Sequence, residues 1–263
     1  MTKLIKLLNL ARASFYYKTK LNSKDQLLKE QILSVLSFNP SYGHRRIAIA
    51  LGLGRKKVRR VMRRYGLKPY KRKARWRKKR DLGRKPAKFM NLIKSSCPLK
   101  PNLVYVSDFT YIKYHSKYLY LATLMDLFSR EIVGWNISGR HNKDLVLNTV
   151  LDAIKNQDFK LPKIIHSDQG SEYNCKNYIN FLNYLGIQIS MSKKKSPWEN
   201  SHQESFYNNF KTDLGLEFGR FNNLGELIEA IHKTINYYNQ ERIHTFLKMP
   251  PVKFKQKYLE KVV

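Results

Sequence analysis

Apolar positions recur with helical spacing through the first part of the chain. Leu28, Ile32, Val35 and Leu36 share one face of residues 25–37. Asn39, Pro40 and Gly43 then break the pattern. Ile47, Ala50 and Leu51 predict a second helix, and Gly52 and Gly54 bracket a tight turn. In a third helix Val58, Val61, Met62 and Tyr65 point inward. Arg55, Lys56, Lys57, Arg59, Arg60, Arg63 and Arg64 point outward, and Gly66 and Pro69 stop it. That outer face reads as seven cations and no anion. Two short helices around a glycine turn, the second strongly basic, suit a helix-turn-helix whose last helix enters the major groove. A small helical bundle with a solvated charged face is the alternative.

The texture changes after Pro101. Residues 104–110, 118–125 and 131–137, rich in Tyr, Val, Ile and Thr, predict three consecutive strands. Helices are expected at 145–154, 176–185, 200–214 and 224–238, with short strands at 163–166 and 187–191. Three strands in series followed by alternating helices and strands describe an α/β mixed sheet of the ribonuclease-H kind. The expected organisation is therefore a helix-turn-helix domain at 1–68, a basic linker at 69–100 and a catalytic core with C-terminal helices at 101–263.

Charge sharpens this division. The 263 residues carry a formal net charge of +32. Residues 1–100 hold 30 Lys and Arg against 3 Asp and Glu, whereas residues 101–263 hold 21 against 16. Such a field favours polyanions, nucleic acid first and an anionic membrane surface second. Residues 70–80 contain eight Lys or Arg among eleven, including Arg72, Arg75 and Arg77. A like-charge block of this sort stays extended until it meets an anion, so it reads as a phosphate-tracking linker, with a solubilising tail as the bland reading. No apolar run is long enough to span a bilayer. Residues 1–10 make a poor signal peptide, because Asn9 and Arg12 interrupt the apolar stretch and no cleavage site follows. Only Cys97 and Cys175 are present, which excludes a disulfide framework or a cysteine-rich zinc site and fits a reducing cytoplasm.

Three carboxylates stand in positions that suggest chemistry. Asp108 is expected at the end of the first strand, Asp168 just past the fourth, and Glu204 near the start of a helix. An acid after an apolar strand sits at the strand's carboxyl edge, where open α/β sheets place their ligands. Such a residue is also a common turn former or helix cap. Three carboxylates brought together repel one another unless cations neutralise them. Oxygen-only ligands favour Mg²⁺ or Mn²⁺, and two such ions suit an in-line displacement at phosphorus.

Asp168 and Glu204 are separated by 35 residues. With Asp108, this spacing resembles the D,D,35,E signature of retroviral integrases and bacterial insertion-sequence transposases. The flanks resemble most closely the IS-three family, in its second-frame (OrfB) catalytic protein. The motifs are Ser41-Tyr42-Gly43-His44-Arg45-Arg46-Ile47, Asp126-Leu127-Phe128-Ser129-Arg130-Glu131, His166-Ser167-Asp168-Gln169-Gly170-Ser171-Glu172-Tyr173 and Tyr238-Asn239-Gln240-Glu241-Arg242-Ile243-His244. Matches run from about residue 10 to 258.

The resemblance implies a transposase that uses Asp108, Asp168 and Glu204 as catalytic metal ligands for two Mg²⁺ or Mn²⁺ ions. It implies double-stranded DNA as partner, at transposon ends and target, and a homo-oligomer on that DNA. It further implies an upstream helix-turn-helix companion, or a fusion with one, and a bacterial, nucleoid-associated setting. The sequence departs from the family pattern at Glu199-Asn200-Ser201, where Asp-Asn-Ala is usual, and at Lys211-Thr212-Asp213, where Lys-x-Glu is usual. Both departures keep charge type.

Lys193, Lys194 and Lys195 precede the catalytic helix and are expected on DNA phosphates, a solvated loop being the alternative. Arg130 and Arg140 are further candidates for DNA contact, Trp135 is read as core, and His166 as either a substrate contact or a packed strand-end residue. A non-catalytic DNA-binding regulator would explain residues 1–88 but leaves the three acids without a purpose. A tyrosine recombinase expects a His followed three residues later by Arg, and none of the seven histidines has one. A retroviral integrase proper needs an N-terminal His/Cys zinc domain, for which residues 1–100 offer only His44 and Cys97.

Overall fold

A computed structural model describes residues 21–72, 88–93, 98–193, 196–215 and 221–262. Arg75, Arg77, Lys194, Lys195 and Cys97 lie outside these residues. The chain divides into two compact units, Met1–Tyr70 and Lys71–Val263.

In the first unit, three helices, α1 (Leu21–Phe38), α2 (His44–Ala50) and α3 (Arg55–Arg64), enclose a small core. Leu28, Ile32, Ile47, Val58 and Val61 are buried in it, as the apolar spacing requires. Gly52 takes φ +63°, which lets the chain reverse between α2 and α3 where a side chain would be strained. α3 itself carries no acid, as expected, but two of its cations meet one from α1. Asp25 of α1 is buried, and its carboxylate is held by Arg60 at 2.5 Å and Arg64 at 3.0 Å. The apolar period of α1 gave no hint of this, because Asp25 begins the predicted segment rather than standing on its polar face. Two cations of α3 therefore neutralise a buried acid, while Arg55, Lys56, Lys57, Arg59 and Arg63 remain exposed.

The second unit has an α/β architecture built on one five-stranded sheet. Its strands are β1 (Val104–Tyr114), β2 (Lys117–Asp126), β3 (Ile132–Ser138), β4 (Ile164–Ser167) and β5 (Gln188–Met191), in the order β3-β2-β1-β4-β5. β1, β2 and β3 pair antiparallel, while β4 and β5 join parallel. The mixed sheet of the ribonuclease-H kind is thus realised, behind N-terminal helices. One face is covered by α4 (Lys143–Asn156), the short α5 (Ser171–Asn174) and α6 (Lys176–Tyr184), with Val146, Val150, Tyr178 and Leu182 packed among Tyr105, Leu124 and Ile165. α4 approaches so closely that a Cβ on Gly134 would lie 2.6 Å from Ala153 Cβ. The other face is covered by α7 (Ser201–Leu214) and α8 (Leu224–Gln240), whose Phe206, Phe210, Leu227 and Ile231 meet Ile112, Leu121 and Ile132.

Two expectations are revised. β1 does not end at residue 110 but runs on to Tyr114, paired with β2 throughout. Asp108 therefore lies in mid-strand, opposite Thr123. A final helix, α9 (Pro251–Val262), appears where no element is expected; the rings of Phe254 and Tyr258 pack tilted and edge-on against Phe128, with centres 5.4 and 4.8 Å away. Its pattern is hard to read because Lys253, Lys255, Lys257 and Lys261 interrupt the apolar positions.

Candidate functional site

The register of β1 on β4 brings the first two acids together. Val106 opposite His166 is the last paired couple, and Asp108 and Asp168 follow each partner by two residues. β4 stops at Ser167, so Asp168 enters a turn in which the Gly170 N–H donates to its Oδ1 at 2.9 Å. Glu204 lies exposed in the first turn of α7. Its charge reaches Asp108: burial, then the neighbouring Asp168 and more weakly Glu204, push the Asp108 carboxyl up to about 7 against the opposing Phe109 N–H and Lys211. Asp168 is also raised, by burial first and by Glu172. Among the described residues, no three His, Cys, Asp or Glu side chains converge closely enough to grip one metal ion. Asp168 and Glu204 each lie within electrostatic reach of Asp108, and the three do not form a closed cage.

Holding Asp108 in this setting has a measurable consequence. Below pH 3.8, the ordinary Asp value, the Asp108 carboxyl is protonated whether the chain is folded or not. Between that pH and about 7 the unfolded chain has lost the proton while the folded one retains it, so metal-free stability falls as pH rises, and the loss is complete above about 7. In EDTA, Asp108→Asn is expected to match the wild type at pH 4. At pH 8 it should exceed it by on the order of 1–2 kcal/mol, discounted for partial exposure. Equal urea midpoints at pH 8 would mean that the charged carboxylate carries no such penalty.

The helix that carries Glu204 is tied to β1 by side chains not expected from the sequence. Asn200 donates to the Ser107 carbonyl at 3.3 Å, Gln203 to that of Val106 at 2.6 Å, and Tyr207 to that of Asp108 at 2.6 Å. The available signal is a set of polar residues spaced i, i+3, i+7 on a face otherwise filled by Phe206, Phe210 and Leu214. Glu172 is a further unexpected participant: it is buried beside Asp168 and its carboxylate contacts Nδ1 of His141, whose ring stacks on Phe109 at 5.6 Å.

Lys211 follows Glu204 by two turns, with its Nζ 4.9 Å from the Tyr111 ring centre and its charge felt at Asp108. Burial lowers it to about 8. Lys193 is exposed, while Trp135 is half-buried against the α8 side of the sheet. His166 is fully buried, its Nδ1 2.8 Å from Ser190 Oγ, which favours the packed strand-end reading.

The two departures from the motif pattern acquire physical roles. Glu199 stands on a 3-10 turn, Pro197–Asn200, and its Oε2 accepts from the Lys193 N–H at 2.7 Å and from Asn91 at 3.0 Å. It secures the approach to α7. Glu199→Gln keeps an oxygen acceptor and is expected to retain most activity in an end-cleavage assay; a loss as deep as that of Glu204→Gln would make it a ligand instead. Asp213 accepts from Nε of Arg242 at 2.5 Å, while the other end of that guanidinium donates to Asn209 at 2.9 Å. Arg242 is buried and ties α7 to the end of α8. Arg242→Ala strands a buried carboxylate and is expected to cost about 3–5 kcal/mol. A urea midpoint within error of the wild type would contradict this.

Comparisons with known proteins agree with this architecture. The integrase core domain family matches residues 98–197, and a second integrase core domain profile matches residues 185–251. The transposase for insertion sequence element IS904 of Lactococcus lactis is 39% identical over 159 residues, which span 60% of this chain and 62% of that protein. The uncharacterized 31 kDa protein of insertion element IS600 from Shigella sonnei is 31% identical over 243 residues, 89% of each chain. Among solved structures, the HTLV-2 integrase catalytic core domain in complex with magnesium superposes with a TM-score of 0.51 at 20% identity, covering 60% of this chain and 98% of that one.

Proposed function

This chain belongs to the integrase-core family of insertion-sequence transposases, and on that premise we propose that it cuts DNA at the ends of a mobile element and joins the freed 3′-hydroxyl to another phosphodiester. The observation that carries the reading is the meeting of Asp108 and Asp168 two residues past the last β1–β4 pair, with Glu204 acting on the same carboxyl. Donor chemistry fits divalent ions, since all three groups are carboxylates and burial together with like-charge repulsion pushes the Asp108 carboxyl up, a repulsion that a cation would relieve. Asp108, Asp168 and Glu204 would hold two Mg²⁺ or Mn²⁺ ions. When bound, such ions neutralise charge at phosphorus and make an oxygen nucleophile available near neutral pH.

The chain's own residues supply the rest. Lys211 sets a positive charge beside the acids, where it can meet a phosphate of the bound strand. Phe109 and Gly170 hold the two aspartates by their backbone N–H groups. In the first unit α2 and α3 form a helix-turn-helix, with Arg55, Lys56, Lys57, Arg59 and Arg63 toward DNA. Arg60 and Arg64 share that duty with their hold on Asp25. Arg72, Arg75, Arg77 and Lys193–Lys195 track phosphates. Membership in the IS-three family, a homo-oligomer on DNA and a companion helix-turn-helix protein complete the proposal. No helix among the described residues is long and apolar enough to cross a membrane.

The test is a duplex carrying the inverted repeats that flank the gene, incubated with the protein in Mg²⁺ and run on a denaturing gel. A nick leaving a 3′-hydroxyl, followed by joined product, is the expected result. Selective DNA binding without cleavage in either Mg²⁺ or Mn²⁺ would reduce the protein to a DNA-binding regulator.

A further inference from the structure

We propose that Tyr207, with Gln203 and Thr123, is a positioning device that sets Glu204 at a fixed height and rotation against Asp108, an inference that rests on the metal reading above. Three successive carbonyls of β1, those of Val106, Ser107 and Asp108, each receive a donor from the segment that carries Glu204. The Tyr207 bond is the most direct. Its donor is three residues from Glu204 on the same helix, and its acceptor is the carbonyl of Asp108 itself. The two acids are thereby linked through one hydroxyl.

Thr123 locks this arrangement from the opposite strand. It faces Asp108 across the β1–β2 ladder, and its Oγ1 stands 2.8 Å from the Tyr207 hydroxyl and 3.1 Å from Gln203 Oε1. Gln203 and Thr123 are fully buried and Tyr207 nearly so. Apolar packing alone would not specify the height of α7. Phe206, Phe210 and Leu214 supply apolar contact without directional bonds, and a slip of one residue would shift Glu204 by about 1.5 Å and turn it by about 100°. Displacements near 1 Å at a reacting centre commonly cost about 10²-fold in rate. Directional hydrogen bonds to three fixed carbonyls remove that freedom, as outer-shell partners do for ligands generally. None of the three side chains needs to touch DNA or metal.

The experiment compares wild type, Tyr207→Phe, Thr123→Val and Thr123→Ser. Each is titrated with Mn²⁺ twice, by the rise in melting temperature without DNA and by the rate of end cleavage. Tyr207→Phe and Thr123→Val are expected to raise half-saturating Mn²⁺ by roughly tenfold in both titrations and to lower kcat, with KM for DNA unchanged. Thr123→Ser, which keeps the hydroxyl, should restore wild-type behaviour. If Tyr207→Phe lowers the metal-free melting temperature yet keeps the wild-type Mn²⁺ half-saturation and kcat, the hydroxyl is merely structural and the positioning role is overturned. If the wild type itself shows no Mn²⁺ response in either titration, the metal reading of the site fails, and this inference fails with it.

Discussion

Alanine at Asp108, Asp168 or Glu204 is expected to abolish both end cleavage and strand joining, by on the order of 10³-fold or more, while DNA affinity stays within about twofold. The reason is a division of labour visible in the charge distribution. These three acids lie in mid-strand of β1, just past β4 and in the first turn of α7, in the part of the chain that carries 21 Lys and Arg against 16 Asp and Glu. They contribute nothing attractive toward phosphate, so removing them cannot weaken the grip on a duplex. They do supply the negative charge that a cation must neutralise, and two of three cannot replace the missing member. Cleavage in Mg²⁺ and gel-shift affinity should be measured on the same preparations. Wild-type cleavage by any one variant would remove that residue from the metal site. A parallel collapse of binding and cleavage would point to misfolding, which the urea midpoint of each alanine variant checks independently.

DNA affinity is expected to fall by about 10³ to 10⁵ between 50 and 200 mM salt, if about six to ten phosphates are contacted. Residues 1–100 alone carry 30 Lys and Arg against 3 Asp and Glu, so release of counterions from the duplex is the main driving force for binding. Within that region the structure separates two kinds of variant. Arg59→Ala and Arg63→Ala alter exposed side chains of α3 and should cost selectivity for the element's ends. Arg60→Ala and Arg64→Ala should in addition destabilise the first unit, because each removes a guanidinium that holds the buried Asp25. Replacing the cations of residues 70–80 should weaken binding on every sequence alike and flatten the salt slope. A full chain lacking those cations that still binds with the wild-type slope would overturn the assignment.

Much of the fold was legible because it is written in short-range periodicity. Helical spacing marks α1, α3, α4, α6 and α8, and β-branched and aromatic runs mark the first three strands, since each element must bury one face. The misplacements share a cause. The far half of β1, with Tyr111 and Lys113 exposed and Ile112 buried, is set in length by its pairing with β2, which no local pattern encodes. α9 is rich in lysine, and it adheres through Phe254 and Tyr258 to the ring of Phe128, a residue far back in the chain.

The same boundary runs through the candidate site. By itself the sequence supplied the candidate groups: an aspartate expected at the end of one apolar strand, another just past a second, a glutamate near a helix start, and a basic first hundred residues. These follow from residue type and spacing, which are local. Only the tertiary structure decided that β1 and β4 are neighbours in a register bringing Asp108 and Asp168 together, that Asp25 takes two of the α3 arginines, and that Asp213 answers Arg242. It also decided that Gln203, Tyr207 and Thr123 bind α7 to the carbonyls of β1. Each of these is a hydrogen bond, a charge pair or a strand register formed across long stretches of chain. A buried polar group must find its partner wherever the fold brings one, and periodicity along the chain carries no record of where that is.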